Sequence, residues 1–331
     1  MADAILTLVD GTDIAAYDTA AWHNKGNVTG RLMKSTEALL EAAFNRVEVI
    51  EEPLFTKTGP VETHKVVRLK DDQDNYYKPF VVGKDRPTFD FKFLLETVEQ
   101  AMHVTGGTIS SVFRLRDGAL VGATLKMPET VTVAGDKYQQ FFNIVDSIDA
   151  SCPTRMFSSD IRMVCWNTVR WAMNSRDKSR TFTMKHTKNA SLNLRAEDIR
   201  AAVQMGIKQD AEVEALMAKL VEEETTKREF FKMVDGIFGT PDPLAKTTRS
   251  KTIYDNRMAT LSGLWVSDTQ ASTYRNGKPT LATSFQTLVE YIDHQRPVKG
   301  KDPKAVRFAS NLDGSADLMK GKVLTALGVS V

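Results

Sequence analysis

The stretch from Ile109 to Met127 restricts the fold more than any other part of the chain. Residues Ile109 to Arg116 read as a strand, Asp117-Gly118 as a tight turn, and Ala119 to Met127 as a returning strand. Asp-Gly between two apolar runs favours a hairpin, because both residues tolerate positive φ. Val131-Thr132-Val133 and Tyr138 to Val145 supply more strand, and Arg155 to Ser159 adds another. Hairpins strung in sequence form an antiparallel sheet with a face to cover. The expected class is therefore α+β, an antiparallel β-hairpin meander packed against helices.

The flanking segments supply the cover. Asp90 precedes Phe91, Leu94, Leu95, Val98 and Met102, an amphipathic helix that ends before Gly106-Gly107. A second helix is expected from Ser35, with Leu39, Leu40, Ala43 and Phe44 on one face, and a third from about Asp160 to Asn174. His64 to Lys70 and Tyr76 to Val82 read as short strands around a polar turn, with Pro79 marking the second as an edge or a break. From Ala196 to Asp235 the period is helical, and Gly206 is a point where the run can split in two. Gly239-Thr240-Pro241-Asp242-Pro243 opens an expected loop to about Arg257. Helices near Ser284 to Asp293 and from about Asp317 to Leu327 complete the chain. The expected division is an α+β core over 1–195 and a mainly helical region over 196–331, a candidate for subunit contacts.

Several function classes leave no trace. The five histidines, His23, His64, His103, His186 and His294, show no helical pairing that would bind a metal. Cys152 and Cys165 are too few for a disulfide scaffold and suit a reducing cytosol. Residues 239–247 (GTPDPLAKT) have the wrong spacing for a phosphate loop, and two prolines remove amide donors. No Gly-x-Ser-x-Gly elbow occurs. No apolar run reaches the ~20 residues that span a bilayer, and Asp3 stands where an export signal wants cations. No cofactor or metal is expected. Asp136, Asp146, Asp149 and Asp160 could in principle hold Mg²⁺ as in a nuclease, although carboxylates in loops and hairpins are usually solvated.

One local feature stands above this background. Eight cations lie between Arg162 and Arg195 (Arg162, Arg170, Arg176, Lys178, Arg180, Lys185, Lys188 and Arg195) against one acid, Asp177, although the chain's net charge is only +2. Hydroxyl and amide side chains are interleaved, and His186 sits among them. Cations neutralise phosphates and release counterions, and hydroxyls add neutral bonds to phosphate oxygens. A second basic set, Lys65, Arg68, Lys70, Lys78, Lys84 and Arg86, lies near Tyr76 and Tyr77, whose rings are candidates for stacking bases. The opposing reading of either set is a solvated polar face.

The chain resembles the phage- and plasmid-related proteins grouped as domain of unknown function 932. The likeness rests on Trp22-His23 with Gly26, Val82-Gly83 before a helix, and a hairpin ending Leu125-Lys126-Met127-Pro128. Its most specific part is Arg162-Met163-Val164-Cys165-Trp166-Asn167-Thr168 followed by His186-Thr187; Glu290-Tyr291-Ile292-Asp293-His294 and Arg307-Phe308 come later. Where the family often carries Gln-Asn, this chain has Arg86-Pro87-Thr88. The resemblance implies a mobile-element protein of a bacterial cytoplasm. The order of helix, meander and helix is also similar to ring-forming single-strand annealing proteins, an analogy of topology that does not fix function.

The expectation is a protein that binds single-stranded DNA and promotes annealing without bond-making chemistry. Arg162, Arg170, Arg176, Lys178, Arg180, Lys185 and Lys188 would hold phosphates, with Tyr76 and Tyr77 as weaker stacking candidates. Asn167 and Thr168 brace a helix in this reading, and protomers assemble as a ring or filament. The alternatives are a non-enzymatic interaction protein, whose basic loop meets an acidic protein surface, and the metal-dependent nuclease.

Overall fold

The computed structural model of the protein describes residues 6–7, 13–16, 27–28, 47–70, 74–88, 91–133, 136–162, 181–186, 196–242, 248–300, 303–313 and 315–328. Short strands β1 (Leu6–Thr7), β2 (Asp13–Ala16) and β3 (Asn27–Val28) come first. They are followed by β4 (Glu48–Thr56), β5 (Gly59–Lys70), β6 (Phe80–Gly83) and helix α1 (Phe91–Thr105). The meander is β7 (Thr108–Leu115), β8 (Leu120–Val133), β9 (Asp136–Ser147) and β10 (Thr154–Arg162), with β11 (Phe182–Met184) after it. The helical part comprises α2 (Ala196–Glu222), α3 (Lys227–Phe238), α4 (Thr248–Trp265), α5 (Leu281–Glu290), α6 (Pro303–Leu312) and α7 (Ser315–Ala326).

The main sheet runs in the order β1-β2-β7-β8-β9-β10-β11, with β3 parallel to β2 and every other pair antiparallel. A smaller sheet, β4-β5-β6, stands beside it. The α+β class, the antiparallel meander and the helical C-terminal region are therefore as the residues led us to expect. Leu115 pairs with Leu120, so the β7–β8 connection is the four residues 116–119 rather than Asp117-Gly118 alone. Arg116, Asp117 and Gly118 all hold positive φ (58°, 57° and 88°). A Cβ on Gly118 would lie 2.3 Å from Leu69 Cδ1 of β5, so this turn is a place where the two sheets touch.

Some boundaries differ from the sequence reading, each for a physical reason. β10 continues through Asp160, Ile161 and Arg162, which pair with Gln140, Gln139 and Tyr138, so no helix opens at Asp160. The remainder of that expected helix, and the one from Ser35, lie outside the described residues. Tyr76 makes only an isolated bridge to Lys70, and β6 begins after Pro79, which has no N–H for the ladder. β4 went unrecognised because its three glutamates and Pro53 disguise the strand. The run from Ala196 breaks at 223–226 and not at Gly206. There Thr226 accepts a hydrogen bond from the Glu229 N–H at 3.2 Å while Glu229 accepts from the Thr226 N–H at 2.8 Å, a reciprocal cap that starts α3. α4 occupies much of the loop expected after Pro243, since nothing from Thr248 to Tyr254 is a helix breaker. The terminal helix α7 is close to expectation, and α6 precedes it unanticipated.

Two apolar cores form among the described residues. In the first, Phe91, Leu94, Leu95, Val98 and Ala101 of α1 face Val112, Ala123, Leu125, Phe142, Ile144 and Met156 of the meander. Val67 and Leu69 of β5 and Ile199, Ala202 and Val203 of α2 close this core. Burying each large side chain is worth roughly 1.5–3 kcal/mol. The second core gathers Leu216, Met217 and Leu220 of α2 with Phe230, Leu261, Phe285, Leu288, Val323 and Leu324. Tyr138 of β9 joins it, and its hydroxyl lies 3.2 Å from Gln286 Nε2, which donates.

Charged contacts fasten the C-terminal helices to the sheet. Arg116 pairs with Asp313, and Arg155 of β10 lies 3.6 Å from Asp317 of α7. Deeper still, Lys320 Nζ is 2.6 Å from Asp293 Oδ1, with side-chain exposures of 0% and 1%. Among the described residues no helix is long and apolar enough to cross a membrane.

Candidate nucleic-acid interface

β11 lies within the basic stretch and pairs with the sheet. Its register sets Met184 against Thr154, Thr183 against Arg155 and Phe182 against Met156. Phe182 and Met184 pack on the sheet core, whereas Thr183 and Lys185 are exposed. Alternation of this kind follows from the strand's two-residue period. A three-residue strand has few ladder bonds, so other contacts must hold it.

His186 provides one. Its side chain is only 3% exposed, and Nε2 lies 2.8 Å from Asp146 Oδ1 of β9 and 3.0 Å from Thr154 Oγ1 of β10. A carboxylate only accepts, so Asp146 pairs with an imidazole that carries its proton on Nε2. Asp146 also accepts from the Ser147 N–H at 2.6 Å. Arg86 donates to the carbonyls of Ser147 (2.7 Å) and Ile148 (2.8 Å). Burial lowers the Arg86 pKa, and Asp146 and Asp149 work against that shift. A buried carboxylate costs several kcal/mol unless charge and hydrogen bonds compensate it, and Asp146 has both. Ser147 Oγ completes the turn, donating to the Cys152 carbonyl at 2.5 Å and accepting the Cys152 N–H at 3.0 Å. Burial pushes the Cys152 thiol up to about 11, which leaves it protonated and unreactive near neutral pH.

Of the residues singled out for phosphates, Lys185 is exposed one position beyond β11. Arg162 closes β10 opposite Tyr138. Arg170, Arg176, Lys178, Arg180 and Lys188 lie outside the described residues, as do Asn167, Thr168 and Cys165. Tyr76 and Tyr77 are neighbours with different surroundings. Tyr76 is 52% exposed, with the Arg68 guanidinium 4.1 Å from its ring centroid. Tyr77 is half-buried against the first core, its N–H donates to the Leu69 carbonyl, and Arg114 lies 4.9 Å from its ring. Burial lowers the Arg114 pKa to about 10.

The early basic set is ion-paired within the fold. Lys65 meets Glu51 at 2.6 Å, Arg68 meets Glu52 at 2.5 Å, and Lys84 meets Glu62 at 2.7 Å. Lys70 pairs with Asp74, and Lys78 lies 3.5 Å from Asp117. Hydrogen bonding and charge from Asp74 and Glu62 raise the pKa of Lys70 and Lys84 respectively. The set is a row of strand-to-strand and turn pairs, and Arg86 is a brace for the β9–β10 turn.

Among the described residues no group of three or more His, Cys, Asp or Glu side chains is arranged to hold a metal. Asp146 is committed to His186, and Asp149 accepts from the Ser151 N–H at 2.9 Å. The sequence reading missed the link between Asp146, Thr154 and His186. A signal for it existed: Asp146 follows Phe142 and Ile144 on the inward period of β9, and a charge on that face needs a partner.

No curated protein and no solved structure matches the chain. A family model described as domain of unknown function (DUF932) matches residues 86–312, beginning at the arginine that braces the β9–β10 turn and taking in the whole meander, β11 and α2 to α6. That is well over half of the chain, and the protein therefore belongs to the DUF932 family.

Proposed function

We propose that this protein binds single-stranded DNA through the phosphates, along the segment that begins at Arg162 and passes through β11, and promotes annealing without making or breaking covalent bonds. Charge distribution carries the reading. Residues 162–195 hold eight cations and one acid, +7 in a chain whose total is +2, which leaves −5 for everything else. Cations elsewhere, such as Lys65, Arg68 and Lys84, have carboxylate partners. Thr183, on the exposed side of β11, and Lys185, exposed one position beyond it, suit a backbone grip that leaves base edges free for a complementary strand. Tyr76 is the better of the two stacking candidates because its ring is the more exposed. A homo-oligomer, ring or filament, would lengthen the groove, with Ala196 to Asp235 as the candidate contact. The setting is the cytoplasm of a bacterium carrying a phage or plasmid.

Fluorescence anisotropy with a labelled oligothymidylate tests this. Affinity should fall steeply between roughly 50 and 200 mM salt, and replacing Arg176, Lys178 and Arg180 together with alanine should weaken binding across sequences. Absence of binding at the lower salt refutes the proposal.

A further inference from the structure

The function proposed above depends on how the cationic segment meets the sheet at β11, and the His186 side chain lies beside that strand. β11 has three residues, and its outward positions are Thr183 and, one step beyond the strand, Lys185. Phe182 and Met184 lean on the core from the other side and favour one register, but a three-residue strand has only these two apolar anchors and three paired positions to hold it. The directional contact is His186. Its Nε2 reaches across β10 to Asp146 of β9 and touches Thr154 of β10, so a single imidazole ties three successive strands. Asp146 is itself fixed by the Ser147 N–H and by the neighbouring Arg86, which is bound to two carbonyls of the β9–β10 turn.

We infer that His186 is a positioning residue for polynucleotide binding: its bond to Asp146 pins β11 in the register that presents Thr183 and Lys185 to the phosphates. The inference rests on the single-strand-binding reading, and it adds a residue that touches no DNA. Its geometric content is specific. The donor is Nε2, so glutamine, whose side-chain amide nitrogen occupies a similar position, preserves the bond to Asp146. Asparagine is too short to reach it, and alanine has no donor.

The test compares the wild-type protein with His186→Gln, His186→Asn and His186→Ala in anisotropy titrations with labelled oligothymidylate over a series of salt concentrations. The slope of log affinity against log salt counts phosphate contacts at about 0.7 each for a single strand. The alanine and asparagine variants should bind about tenfold more weakly at the lowest salt, with a slope shallower by at least one contact. The glutamine variant should keep the wild-type slope. Hydrogen exchange on the same samples should show faster exchange at residues 181–186 in the alanine and asparagine variants, with the strands of the meander still protected. That second measurement separates loss of the pin from loss of the fold, and the asparagine variant serves if alanine does not fold. Should the wild-type protein bind no oligonucleotide, the functional reading fails and the inference with it. If the wild-type protein binds while all three variants match its affinity and slope, the functional reading stands and the role of His186 is refuted. Equal loss in all three variants also refutes it, since glutamine would then have restored nothing.

Discussion

Replacing Lys320 with methionine removes the cation from the most buried of the ion pairs set out above. Lys320 and Asp293 are 0% and 1% exposed, and their charged atoms are 2.6 Å apart. Lys320 also lies close enough to Asp317 to favour its ionised form. Methionine has nearly the volume of the lysine stem, so packing changes little and the electrostatic consequence dominates. Taking one partner from a buried pair leaves the other charge without compensation, at a cost of about 3–5 kcal/mol. Unfolding entropy of ~2 cal/mol/K per residue gives ~0.7 kcal/mol/K for 331 residues, so the melting temperature should drop by about 4–7 °C. The deficit should depend on pH in a defined direction. With the ammonium gone, the buried Asp293 carboxylate has no counter-charge, and burial disfavours its ionised form. Stability is therefore lost as pH rises, and the variant's deficit should be larger near pH 8 than near pH 5. Adding Asp293→Leu should recover most of the loss, because an apolar pair is often as stable as the ionic one. Calorimetry and urea denaturation at the two pH values check this. A loss below about 1 kcal/mol for the single variant, or no recovery in the double variant, refutes the reasoning.

The remaining predictions use other sites. Burial raises the Asp317 carboxyl to about 7, against the opposing pull of Lys320 and Arg155. The folded chain therefore binds a proton that the unfolded chain has released. This contribution is fully present below about pH 4 and is lost as pH rises through about 7, up to roughly 4 kcal/mol in all. Asp317→Asn should flatten the fall in stability across that window in urea titrations, and an unchanged slope contradicts the assignment. At Gly122, an added Cβ would sit 2.3 Å from the Ile144 carbonyl oxygen and 2.6 Å from Phe113 Cζ, whereas at Gly83 nothing lies within 4 Å. Gly122→Ala should cost about 1–3 kcal/mol and Gly83→Ala within about 0.5 kcal/mol, and equal thermal shifts would show that the sheet yields more than its geometry implies.

The parts of the fold that were legible in the sequence are those governed by local period and turn chemistry. The strand runs on either side of Asp117-Gly118 and the 3–4 spacing from Phe91 to Met102 are short-range signals, and both β7–β8 and α1 follow them. β4 was hidden because Glu48, Glu51 and Glu52 are positioned for partners on β5 rather than for burial. The ion pairs were illegible for a different reason. Arg155 meets Asp317 only once the terminal helix packs on the sheet, and Lys320 meets Asp293 only once the C-terminal helices pack together, and a charged side chain in sequence reads as solvated until its neighbour is known. His186 sits in the middle of the basic stretch, and nothing in its sequence neighbourhood marks it as buried. The structure instead places it inward, facing a carboxylate contributed by a strand forty residues earlier.

Helix α2 serves both cores: Ile199, Ala202 and Val203 near its start seal the sheet, and Leu216, Met217 and Leu220 near its end line the helical cluster. It acts as a beam shared by two rooms. Severing the chain just ahead of residue 196 would leave α1 over the sheet but send the rest of its cover away with the other piece. A fragment intended to carry the meander alone should keep the first two turns of this helix, through Val203, and offer a solubilising residue where the beam is cut.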